Sequence, residues 1–227
     1  MGKRKGVEEI YGDVLGSARE GEERCFRGER WKGHAILIIV DAALDSIGLN
    51  YFQIVVPRVR RFYQNYVKTV QIATLEDLSK LKAEDPRLRA IINNRRCWEA
   101  AINICKELVK IKEENHLGSD FAALRFWAEG ANHEGWREDP IGKILGVGLI
   151  TFQYLRMQAG VDTTMPDKIV KREMERNFGI KAQSNLEFVE KVEEFSRETG
   201  YSQTILCWWA IWLKKSNMKK PDWEHID

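Results

Sequence analysis

Residues 139–179 read DPIGKILGVGLITFQYLRMQAGVDTTMPDKIVKREMERNFG, and the punctuation of this stretch decides how the chain is read. Asp139-Pro140 has the form of a helix start, because proline at the first helical position lacks only an N–H that has no helical partner there. The helix stops at Gly146-Val147-Gly148, where two glycines around one apolar residue permit positive φ and close approach of the backbone to another molecule. Apolar residues then return at helical spacing at Leu149, Phe152, Leu155 and Met157, which predicts a second helix over 149–160. After the short loop Thr163-Thr164-Met165-Pro166, Asp167 precedes Lys168-Ile169-Val170 and is placed to cap a third helix.

The segments upstream read as helices too. Residues 34–47 are apolar enough for a buried helix, and residues 50–67 predict a second one that Pro57 kinks or breaks. Thr74-Leu75-Glu76-Asp77 has the spacing of a capping box. Residues 94–113 predict a long amphipathic helix with Trp98, Ala101, Ile102, Cys105, Leu108 and Val109 on one stripe, and residues 121–131 predict another. Downstream, Ser184 with Glu187 three positions on opens an amphipathic helix, and residues 201–215 (YSQTILCWWAIWLKK) are strongly apolar. Residues 1–32 are charged and glycine-rich, with one helix expected near 7–20, and read as a peripheral segment packing against the C-terminus, or as a partly ordered tail. No segment alternates with period two and nothing repeats at fixed spacing, so the expectation is an all-α chain of about nine or ten helices.

Composition narrows the class. The 227 residues carry 36 Lys+Arg against 34 Asp+Glu, a net charge of +2, so a surface for nucleic acid must come from local clustering rather than overall charge. Arg58, Arg60, Arg61 and Lys68 form one cluster, and Arg87, Arg89, Arg95 and Arg96 another. The longest apolar runs, 35–40 and 205–213, are too short to span a bilayer, and the first residues do not read as a signal peptide. The expectation is a cytoplasmic or nucleoid-associated protein with no membrane contact. Cys25, Cys97, Cys105 and Cys207 are scattered, and the four histidines form no ligand pairs, which predicts buried thiols and no side-chain metal site.

Residues 139–179 resemble the helix-hairpin-helix DNA glycosylases, the HhH-GPD superfamily. The hairpin is Leu145-Gly146-Val147-Gly148 and the matching aspartate is Asp167. The resemblance extends to Val55-Val56-Pro57 followed by Phe62, and to the Asn-Arg-Arg-x-Trp-x-x-Ala-x-x-Ile pattern from Asn94. It implies a two-lobed helical fold, with 1–46 and 132–227 in the lobe of the hairpin and 47–131 in the middle lobe, and a cleft between them. Many relatives carry a lysine two residues after the second hairpin glycine, and here Ile150 holds that place. Some relatives carry a four-cysteine iron–sulfur cluster near the C-terminus, which this chain lacks. Met165-Pro166-Asp167 is similar to the Leu-Pro-Asp of the alkylated-base branch, which puts alkylated purine first among substrates, with a mismatched or oxidised base close behind.

The resemblance makes Asp167 the catalytic residue. A carboxylate beside C1′ stabilises the oxocarbenium-like charge that develops as the base leaves, and orients water. A helix N-terminus is expected to keep it ionised. The hairpin residues Leu145, Gly146, Val147 and Gly148, with Thr151 and Lys143, are expected to meet a DNA phosphate, and Asn50 to reach the base left unpaired, or only to cap a helix. In relatives the hairpin carbonyls, here of Leu145 and Val147, also hold a monovalent cation; no other cofactor is implied. Tyr154, Tyr51, Trp208 and Trp209 are the candidates to line a pocket for the extruded base. A lysine at 150 would form a Schiff base and lead to strand cleavage; isoleucine cannot, so the activity expected is monofunctional. The partner is double-stranded DNA with a damaged or mismatched base, bound by a monomer. The competing reading is a helix-hairpin-helix protein that binds DNA without chemistry.

Overall fold

The computed structural model describes residues 6–216 and Ile226, and all regular structure among them is helical. In chain order the helices are α1 (Val7–Tyr11), α2 (Leu15–Phe26), α3 (Ala35–Asp45), α4 (Val56–Phe62), α5 (Leu75–Ser79), α6 (Pro86–Ile91), α7 (Arg95–Glu114), α8 (Asp120–Gly130), α9 (Leu149–Gln158), α10 (Lys168–Phe178), α11 (Asn185–Thr199) and α12 (Ala210–Ser216). A 3-10 turn (Arg30–Gly33) precedes α3, π-helical turns flank α4 (Tyr51–Val55 and Tyr63–Val67), and a third (Ile205–Trp209) leads into α12.

The core is built around α3. Residues 35–44 are all buried, as expected of a helix apolar on every side. It packs against α7, α8 and α9, and against α4 and α5. The long helix α7 turns its predicted stripe inward, with Trp98, Ala101, Ile102, Cys105 and Leu108 buried, and Asn94 caps it by accepting from the Cys97 N–H at 3.0 Å. Thr74 and Asp77 form the predicted capping box, and Ser184 caps α11 through the Glu187 N–H at 3.1 Å. Pro57 does not break the chain. It follows a π turn and opens α4, where a missing N–H is tolerated. All four cysteines are buried, and burial pushes the Cys97 thiol up to about 12.

Two expectations fail. Residues 139–146 form consecutive turns and not a helix. The Asp139 carboxylate accepts from the N–H groups of Ile141 and Gly142 and from Trp127 Nε1, at 2.8, 3.2 and 3.0 Å. At Gly142 the backbone closes so tightly on the Trp136 carbonyl that a Cβ would lie 1.6 Å from its oxygen. So few residues before a glycine hairpin cannot repay helix nucleation, and these local bonds win.

Residues 6–32 pack against the C-terminal segment, as expected, but are not all peripheral. Gly21 lies directly against the Trp209 ring, 2.4 Å from where a Cβ would stand, and Arg30 and Trp31 are fully buried. Trp31 and Lys32 adopt left-handed φ of 47° and 54°, rare for residues with a Cβ. This turn drives Arg30 and Trp31 into the core beside α3.

Candidate active site

Asp167 is delivered by a loop tied at each step. Gln153 on α9 donates from Nε2 to Thr163 Oγ1 at 2.6 Å, and Thr164 Oγ1 lies 2.9 Å from Gln203 Oε1. Asp162 Oδ1 accepts from the N–H and hydroxyl of Thr204, at 2.9 and 3.0 Å. Met165 and Pro166 are buried, and Pro166 sits at the centre of a tight turn closed by the Asp167 N–H on the Met165 carbonyl at 2.9 Å. Asp167 then caps α10, with Oδ1 accepting from the Val170 N–H at 2.6 Å. Two backbone N–H groups favour its charged form, as expected of a helix start, but burial outweighs them and the carboxyl titrates above its usual range. The downward pull expected from the helix end is real and loses.

A buried polar cluster that the sequence did not announce centres on α3. Asp41, on α3, is fully buried and receives Trp31 Nε1 at 2.7 Å, Tyr51 Oη at 3.1 Å and Arg30 Nη2 at 3.3 Å. Arg30 also donates to Tyr51 Oη and to Gln158 Oε1, each at 3.1 Å, and lies 4.7 Å from the Trp208 ring centroid. Tyr154 Oη reaches Tyr51 Oη at 3.1 Å and Asp41 Oδ2 at 3.4 Å. One helical turn after Asp41, at the end of α3, Asp45 is largely enclosed without being sealed from solvent, and its carboxyl forms no hydrogen bond or ion pair among the described residues. Burial, then the charges of Asp41 and Asp167, pushes it up to about 8.

The proposed pocket residues fall into two groups. Tyr154, Trp208 and Trp209 are buried, the first two edge-to-face at 5.4 Å, and Trp209 packs on α2. Tyr51 is also buried, but its ring continues outward to Phe52 at 5.2 Å and Trp212 at 6.3 Å, both half-buried. The Trp212 indole N–H is enclosed with no acceptor among the described residues. Phe52 and Trp212 were missed because an aromatic at helical spacing reads as core.

At the hairpin, Gly146 has φ of +101°, a conformation that favours glycine, and packs against Ala100 and the Arg96 stem on α7. Gly148 is extended, with open space where a Cβ would stand, and offers no side-chain cap to α9. The first N–H groups of α9 thus stay available to an anion. Thr151 and Val147 are buried, Ile150 is half-buried, and Leu145 is exposed beside Lys82 and Lys106. The carbonyls of Leu145 and Val147 accept no hydrogen bond among the described residues. Lys143 is exposed and pairs with Glu138 at 3.3 Å. Among the described residues no set of three His, Cys, Asp or Glu could hold a metal.

The basic clusters are thinner than the sequence implies. Arg58 is spent on the Ile91 carbonyl, Arg87 pairs with Asp85, and Arg95 with Glu84 and Glu99. Arg61, Lys68 and Arg96 are exposed and form no ion pair among the described residues. Asn50 is a cap, accepting from the Gln53 N–H at 2.9 Å.

No protein-family model matches the chain, and no curated protein matches it in sequence. Its fold is similar to that in the crystal structure of Tm1821, the 8-oxoguanine DNA glycosylase of Thermotoga maritima, with a TM-score of 0.57 at 17% identity, over 94% of this chain and 95% of that one. At this identity the likeness is one of fold. Among the described residues, no helix is long and apolar enough to cross a membrane.

Proposed function

We propose that this chain is a DNA glycosylase that hydrolyses the N-glycosidic bond of a damaged or mispaired base and leaves the strand intact. One observation carries the reading: Asp167 is held at the start of α10 by a loop fastened on both sides, immediately downstream of a glycine hairpin that opens onto an uncapped helix. The fold shared with a DNA glycosylase structure supports it.

In this reading the first N–H groups of α9, with Arg96 beside Gly146, take a DNA phosphate and fix the register of the duplex. The carbonyls of Leu145 and Val147 would hold a monovalent cation that offsets phosphate charge. Residues 1–46 with 132–227 form one lobe and 47–131 the other, and the base, extruded from the stack, enters between them. The ionised Asp167 faces C1′, stabilises positive charge on the sugar as the bond breaks, and orients the attacking water. Ile150 at the first turn of α9 supplies no amine, so no Schiff base forms there. The protein acts as an intracellular monomer on duplex DNA.

The test is base release from a panel of duplexes carrying alkylated, oxidised, deaminated or mispaired bases, with Asp167→Asn alongside. Release by the wild type, loss in the variant, and nicking only after alkali establish a monofunctional glycosylase. Salt-sensitive DNA binding with no release on any duplex would assign the chain to DNA binding without chemistry. Nicking without alkali, with borohydride trapping, would show that another lysine acts.

A further inference from the structure

Leu145 is the most exposed large apolar side chain among the described residues, at 81%, and it stands one position before the hairpin glycine Gly146. A single exposed leucine needs no explanation, but the surroundings of this one do. Leu145 lines an open groove of about 440 Å³ together with Leu81 and Ala83, from the loop after α5, and Ile102 from α7. Lys82 and Lys106 line the same groove, are exposed, and form no ion pair among the described residues. Lys106 Nζ reaches only the neutral Asn103 Oδ1, at 3.4 Å. The carboxylates of the groove are already taken, because Arg95 Nε lies 3.0 Å from Glu84 and 2.7 Å from Glu99. What the groove offers a partner is therefore apolar surface flanked by two available cations.

The groove runs on from the hairpin. Leu145 belongs to both, and Gly146 packs on Ala100 and the Arg96 stem at the start of α7. Asn103 stands two turns beyond Arg96 on the same face of that helix, and Lys106 follows one turn later. At about 1.5 Å per residue, Arg96 and Lys106 are about 15 Å apart along the helix axis. One DNA strand sets a phosphate every ~3.4 Å along the duplex axis, so a strand beside α7 places about four between these two cations. A sugar–phosphate backbone supplies both chemistries that the groove accepts: anionic oxygens for the lysines and apolar deoxyribose edges for Leu145. An acidic peptide would meet the same cations, but nothing ties it to the hairpin.

We propose that this groove is a second stretch of DNA-binding surface, in which one strand leaves the hairpin over Leu145 and lays its next phosphates against Lys82 and Lys106. The inference rests on the DNA-binding part of the glycosylase reading and adds to it a footprint that extends to one side of the damaged nucleotide. The two lysines fix the direction in which the duplex leaves the protein, and they read no base.

Equilibrium binding tests this with the full chain and a duplex of about 20 base pairs carrying a tetrahydrofuran abasic analogue at its centre, between about 50 and about 200 mM salt. The double variant Lys82→Ala/Lys106→Ala should bind about tenfold more weakly and lose about 2 from the slope of log affinity against log salt. Leu145→Glu should also weaken binding about tenfold, by setting a negative charge against the strand. Lys181→Ala/Lys191→Ala removes the same charge from lysines paired with Glu175 and Glu187, and should change the slope by less than about 0.5. Shortening one flank of the duplex by about four base pairs should weaken wild-type binding about tenfold and cost the Lys82/Lys106 variant nothing further. All five substituted positions are exposed, so the fold should be kept. Wild-type affinity and slope in the Lys82/Lys106 variant overturn the groove, as do unchanged binding by Leu145→Glu, equal losses in the two lysine pairs, or equal sensitivity to shortening of either flank. In each of these cases base release that is lost in Asp167→Asn leaves the glycosylase reading standing. The expected binding results without base release from any duplex would keep the groove and remove the chemistry. No salt-sensitive duplex binding by the wild type overturns both.

Discussion

Arg30 and Asp41 form an ion pair at 3.3 Å with both side chains fully buried, one from the turn before α3 and the other from its second turn. The pair lies at the centre of the polar cluster on which the site is built. Breaking such a pair leaves an uncompensated buried charge, so Arg30→Met should lower stability by about 3–5 kcal/mol in urea unfolding. Full stability in that variant would show that the cluster is not a structural keystone.

Asp41 also sets its neighbour. Its charge raises Asp45, so Asp41→Asn should let the Asp45 carboxyl ionise below about pH 8, as read by NMR titration of its carboxyl carbon. An unmoved titration in a folded variant would mean that Asp41 does not set it.

Asp45 makes a prediction about stability that needs no substrate. Its folded carboxyl titrates near 8, whereas in the unfolded chain it ionises near ~4. Across that window the unfolded state sheds a proton that the folded state keeps, so stability falls as pH rises from about 4 to about 8. Asp45→Asn should therefore raise the melting temperature at pH 9 and make no difference at pH 4. Equal melting curves at pH 9 would count against an enclosed, unpartnered carboxyl.

The two hairpin glycines should behave differently. Gly146 holds φ of +101° with Ala100 3.4 Å from where a Cβ would be, so Gly146→Ala should cost about 1–3 kcal/mol. Gly148 has an ordinary backbone and open space, so Gly148→Ala should fold normally and weaken DNA binding on the order of tenfold if a phosphate sits against that backbone. Urea unfolding and duplex titration, run on both variants, separate the cases. Unchanged binding by Gly148→Ala would remove the hairpin from the interface.

Arg96 is exposed, unpaired among the described residues, and beside Gly146. If it neutralises a phosphate, Arg96→Ala should weaken binding to all duplexes alike and reduce the slope of log affinity against log salt by about 1. Arg95→Ala, next to it but paired with Glu84 and Glu99, should change the slope less. Equal effects would mean that the patch acts only through overall charge.

What could be read from the sequence was what depends on neighbours along the chain. Caps at Thr74, Asn94, Asp167 and Ser184 need a side chain and an N–H only three positions on, and the buried stripe of α7 needs only a period. The glycine hairpin followed by an aspartate, and with it the helical fold, was legible for the same reason. The short stretch after Asp139 misled because its pattern allowed a helix, while contacts with Trp127 and Trp136 from an earlier part of the chain took its place.

Tertiary structure alone decided the electrostatics. Arg30 meets Gln158 across 128 positions, and Tyr154 meets Asp41 across 113, separations at which no local pattern operates. Nothing in the spacing of the sequence singles out Asp45 or Arg30. Only folding encloses one carboxyl without a partner and pairs the other with a buried guanidinium, because desolvation and charge proximity are properties of three-dimensional packing and not of spacing along the chain. The sequence determined that an aspartate would stand behind a glycine hairpin in a helical protein, and the fold determined that Asp41 would meet Arg30 in the core while Asp45 would not.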